Sequence, residues 1–81
     1  KEFDLNHQWN LYLQRVDLKD KKMPANQYRE MKQTFYGACG QILMLFTNEL
    51  AVLPDDQAVK QMQSMINQVG DFFIKAAGRQ N

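Results

Sequence analysis

The sequence predicts an all-α protein of three helices, the second and third forming a long antiparallel hairpin with the first packed across it. Three observations carry this. The only two prolines, Pro24 and Pro54, cut the chain into three segments. In each segment the apolar residues recur three and four positions apart, the period of one helix face. No run shows the strict apolar–polar alternation of a half-buried strand. A chain of 81 residues reads as a single helical domain, 1–81.

The first segment is 4–19, DLNHQWNLYLQRVDLK. Asp4 or Asn6 suits its N-cap, where a short side-chain oxygen accepts from an unpaired backbone N–H. Leu5, Trp9, Tyr12, Leu13 and Val16 share one face. The charged stretch KDKKM then breaks the pattern before Pro24. The second segment is expected to run as one continuous helix over 25–53. Tyr28, Met31, Phe35, Ala38, Ile42 and Leu45 form a heptad seam in it. Glu49 continues that seam as its one charge, either reaching water near the helix end or pairing with Arg15 or Lys60. Cys39, Leu43, Phe46, Leu50 and Leu53 widen the apolar face.

The third helix starts at Pro54, whose ring suits a first turn. Asp55 and Asp56 follow, and they favour the positive end of the helix dipole. Val59, Met62, Ile66, Val69, Phe73 and Ala76 make its seam, with Met65 and Phe72 beside it. Gly78 marks its stop. Phe35, Ile42, Met62, Ile66 and Phe73 are the expected shared core.

The segment FYGACGQILMLF sets two glycines against the most apolar run of the chain. Gly37, Gly40, Met44, Thr47 and Ala51 are spaced three, four, three and four apart, a second stripe away from the seam. A helical glycine costs about 1 kcal/mol relative to alanine. The alignment therefore points to a smooth strip where something approaches the backbone closely: the first or third helix of the same protomer, a second protomer, or a ligand.

Composition narrows the function. A fold this small buries about 60% of its unfolded surface, so disulfides, metals or oligomerisation often supplement the core. One cysteine forbids an internal disulfide, and with one histidine it forbids a zinc site of the usual kind, so no metal or cofactor is expected. Oligomerisation is what remains. The net charge is +1, below the basic excess of a duplex-DNA binder. No stretch has the roughly 18 apolar residues of a membrane span, and no export signal is visible. With a lone thiol, this places the chain in the cytoplasm. Cys39 and His7 are the only thiol–imidazole pair, and Cys39 sits mid-helix where thiols serve as packing. There is no phosphate-cradling glycine loop and no carboxylate pair spaced for acid–base work. An enzyme is not expected.

The most suggestive group is basic and aromatic. Residues 15–32 hold six basic and three acidic side chains. Arg15, Arg29 and Lys32, with Lys19, Lys21 and Lys22, lie near Tyr28, Trp9 and Tyr12. Aromatic faces stack on bases and cations neutralise phosphates, so Trp9, Tyr12, Arg15, Tyr28, Arg29 and Lys32 are the candidate ligand site. The competing reading is plain packing by Trp9 and Tyr12 and solubilising lysines. A helix-turn-helix fits poorly, because the helices are long and the third opens on acids.

Trp9 and Tyr12, then Pro24, then EMKQTFYGACGQ over 30–41, resemble a group of short all-helical proteins encoded in phages and prophages. The resemblance implies a setting rather than an activity. Such proteins act on host machinery by binding, blocking a defence protein or sequestering a nucleotide signal between protomers. The expectation is a non-enzymatic counter-defence protein, homo-oligomeric, in the host cytoplasm. In it Gly37, Gly40, Met44, Thr47 and Ala51 are the candidate oligomer interface. The alternative is a structural or adapter protein of phage assembly acting through helix-mediated self-association.

Overall fold

The computed structural model describes residues 1–18 and 22–78. All regular structure in them is helical: α1 (Leu5–Arg15), α2 (Ala25–Leu45), a π-helical turn (Phe46–Leu50) and α3 (Asp55–Gly78). The chain divides into two compact units, Lys1–Leu43 and Met44–Asn81.

In the first unit, Asp4, one of the two residues suited to the N-cap, caps α1, its carboxylate accepting from the Asn6 N–H at 3.0 Å. The helix does not run on to residue 19. It stops at Arg15 because Asp17 takes φ 60°, the left-handed conformation. The Leu18 N–H then reaches the Leu13 carbonyl at 2.8 Å and the Asp17 N–H reaches Gln14 at 3.1 Å, the two bonds of a Schellman stop. A glycine would have announced this turn in the sequence. Aspartate is one of the few other residues that adopts the conformation.

Trp9 and Leu13 of α1 are the only buried apolar residues among those described, at 0% and 4% exposure. The indole N–H of Trp9 donates to the Tyr28 hydroxyl at 3.0 Å, tying α1 to α2. Phe35 closes the cluster, its ring 5.3 Å from that of Trp9 and 5.4 Å from that of Tyr12. These tilted arrangements are the ones aromatic quadrupoles favour.

The second unit departs from a continuous second helix. At Phe46 the α-helical register widens, and the Ala51 N–H bonds the Phe46 carbonyl, five residues back, at 2.8 Å. Thr47 donates its hydroxyl to the Met44 carbonyl at 3.2 Å, a local bond that competes with the helical ladder. The turn inserts extra residue spacing, so rows drawn at three and four cannot continue through it. Leu45, Phe46, Leu50 and Leu53 become half-buried, while Glu49 is exposed. Leu45, Glu49, Leu50 and Leu53 share a shallow groove with Gln61 and Met65 of α3. The start of α3 matches the sequence, the Pro54 carbonyl accepting its first bond, from Ala58 at 2.9 Å, and the helix is described through Gly78, the predicted stop lying at the edge of the described residues.

The five residues expected to form the shared core are not buried. Phe35 is half-buried, but Ile42 and Met62 are exposed, as are Ile66 at 60% and Phe73 at 63%. On α3 the half-buried residues are Ala58, Met65 and Ala76. Met65, one position before the seam residue Ile66, lines the groove with the end of α2, and the seam from Val59 to Phe73 stays open.

Two stability effects follow from these local bonds. Tyr28→Phe leaves the indole N–H of Trp9 buried without an acceptor and should destabilise by about 1–3 kcal/mol, read as a lower denaturation midpoint by circular dichroism. Asp17→Gly relieves the left-handed residue and should raise stability by about 1 kcal/mol in the same assay.

Candidate functional site

Tyr28, Lys32 and Tyr36 stand four residues apart on α2, with Arg29 and Gln33 on the adjacent row. One helical turn separates each from the next, so their side chains form a ladder along a single face. These five line an open groove of about 330 Å³. The Lys32 ammonium lies 6.0 Å from the centroid of the Tyr28 ring and 6.0 Å from that of Tyr36. It also donates to Asn6 Oδ1 of α1 at 3.3 Å, which holds it between the two rings. Such cation–π placement is worth about 0.5–1 kcal/mol at an exposed site.

Tyr28 is set from beneath. Its ring meets Trp9 edge-on, with centroids 5.7 Å apart and planes at 77°. Its hydroxyl oxygen accepts the indole proton, so its own proton remains available to an outside acceptor. Tyr36 is propped by Phe35, 6.0 Å away at 71°. The face thus presents two exposed phenol rings, a cation between them and the exposed Arg29 guanidinium alongside. That combination suits a flat group carrying negative charge.

Of the six predicted ligand residues, the structure gathers Tyr28, Arg29 and Lys32. Trp9 is fully buried and presents no face to a ligand, so its role is to position Tyr28. Tyr12 lines a second groove of about 540 Å³ with Met31, Phe35 and Ala38 among others. Arg15, in the last turn of α1, lines neither groove. Lys19 and Lys21 lie outside the described residues. Sequence reasoning missed Gln33, Tyr36 and Asn6. The spacing 28, 32, 36 was available as a signal, but it was masked by assigning Tyr28 to the core seam.

The glycine stripe is open within the chain. A Cβ built on Gly37 or Gly40 meets nothing within 4 Å. Met44, Thr47 and Ala51 are exposed as well, and the π turn interrupts the spacing that aligned them. Among the described residues no group of three or more His, Cys, Asp or Glu could hold a metal, and no helix is long and apolar enough to cross a membrane.

No protein-family model matches the chain, and neither do curated proteins or solved structures.

Because the space above Gly40 is open, Gly40→Ala should stabilise the protomer by up to about 1 kcal/mol, through better helix propensity alone. A thermal melt at low protein concentration measures it, and a loss of stability would reveal a packed surface at this position.

Proposed function

We propose that the protein is a non-enzymatic binding protein of the phage counter-defence kind, acting as a homo-oligomer in the host cytoplasm. Its α2 face captures a host nucleotide signal. The observation that carries this reading is Lys32, held 6.0 Å from both the Tyr28 and Tyr36 rings beside Arg29. A phosphate is drawn to the two cations, a base stacks on a phenol ring, and the free Tyr28 proton bonds a phosphate oxygen. Binding of this kind needs no reacting group. The Trp9 bond fixes Tyr28 before the ligand arrives, which lowers the ordering cost of capture. The antiparallel course of α2 and α3 belongs to the same reading. Its support is the groove that Leu45, Glu49, Leu50 and Leu53 share with Gln61 and Met65.

A panel of mono-, di- and cyclic nucleotides tests this by thermal shift and calorimetry. A nucleotide at a hundredfold its Kd should stabilise the fold by about 2.7 kcal/mol. Arg29→Glu with Lys32→Glu should abolish binding with helicity intact, and affinity of the unaltered protein should fall with added salt. Full-strength binding by the double variant would remove this face from consideration.

A further inference from the structure

The heptad seam of α3 is left without a partner. Val59, Met62, Ile66, Val69 and Phe73 are all exposed, and Ala76 ends the row half-buried. The groove that α3 shares with the end of α2 is lined by Gln61 and Met65, off this seam. We infer that this seam pairs antiparallel with the same seam of a second copy of the chain. The inference rests on the homo-oligomeric part of the reading above and assigns it a surface other than the glycine stripe.

Four features select a second copy and that orientation. First, the spacing 3-4-3-4-3 is the same read in either direction. In an antiparallel pair Val59 meets the partner's Ala76, Met62 the partner's Phe73 and Ile66 the partner's Val69. The two-fold axis repeats each contact, as a self-complementary interface requires. Second, antiparallel pairing opposes the helix dipoles, whereas parallel pairing aligns them. Asp55 and Asp56 open the helix, and Lys60 and Lys75 fall on heptad positions outside the seam, so their level placement in this register leaves the apolar contact uncharged.

Third, residues 61–70 carry no charge, and Gln63, Gly70 and Ala77 flank the seam. A self-pair therefore meets no like-charge penalty along its middle, and Gly70, above which a Cβ would meet nothing within 4 Å, admits close approach near the axis. Fourth, the exposed Phe73 stacks edge-on with Phe72, centroids 5.4 Å apart. An aromatic anchor of this sort is what interface cores use. A membrane surface fits less well, because helices that lie in lipid headgroups are rich in Lys and Arg on the polar face. Here that face carries two lysines, Lys60 and Lys75, among Gln, Ser, Asn and Asp71.

The test uses the full chain. Sedimentation velocity across the micromolar range should show a species of twice the chain mass that grows with concentration. Ile66→Glu with Val69→Glu should shift it wholly to monomer. In a Cys39→Ser background, Val59→Cys with Ala76→Cys should form a disulfide-linked dimer under mild oxidation, and Val59→Cys alone should not. Cross-linking leaves the seam otherwise intact, so it decides the matter even if the glutamate variant loses structure. A monomer at every concentration overturns the inference. So does a dimer that survives the glutamates, which would place the interface elsewhere, or efficient cross-linking by Val59→Cys alone, which would make the pair parallel. None of these readouts involves nucleotide binding at Lys32, so the interface and the ligand face fail or stand separately.

Discussion

The hydrogen bond from the Trp9 indole to the Tyr28 hydroxyl, 3.0 Å long, is the contact on which the first unit depends. Trp9 is the largest side chain of the protein and the only one among those described that is buried completely. Burial of an indole removes its N–H from water, and an unpaired N–H in that place would be costly. Tyr28 meets the requirement from the neighbouring helix, so the packing of α1 on α2 and the placement of Tyr28 are a single event. The ring held in this way is one wall of the cation–aromatic groove. Core and candidate site share a residue, and local folding energy is converted directly into a preformed surface.

The second unit is organised differently. No residue of α3 is buried, and only Gln61 and Met65 of α3 line the groove with the end of α2. The π turn is the cause on the α2 side, since it breaks the phase that would carry the second-helix seam onward. Apolar burial stabilises by about 25 cal/mol per Å² removed from water, so a helix that keeps its seam in solvent forgoes most of what its sequence offers. Contiguous apolar surface on a small protein marks an interaction site more often than it marks waste. The exposed α3 seam is therefore the surface on which the proposed association rests.

Much of the architecture was legible in the sequence because it is written in local chemistry. Asp4 caps α1, and Pro24 and Pro54 precede α2 and α3, each for a reason that needs no distant partner. The misses have local and non-local causes. Asp17 ends α1 in a conformation that most sequences reserve for glycine. Thr47 gave little warning of the π turn, since one threonine in a long helix is ordinary. Periodicity located the α3 seam, yet period alone does not say whether a seam is covered by the same chain or by another. Tyr28, Arg29 and Lys32 were found as basic and aromatic composition, while Tyr36 required knowing which side of α2 the Trp9 cluster leaves free.

In the proposed assembly, intramolecular packing completes the α1–α2 unit and a second copy completes α3. Hydrogen–deuterium exchange at two widely separated protein concentrations distinguishes the two, because protection reports opening of each helix separately. Amides of α1 and the first half of α2 should exchange at the same slow rate at both concentrations. Residues 59–76 should become more protected as concentration rises. Exchange in 59–76 that is independent of concentration, or α1 amides that exchange as fast as an unfolded chain, would contradict it.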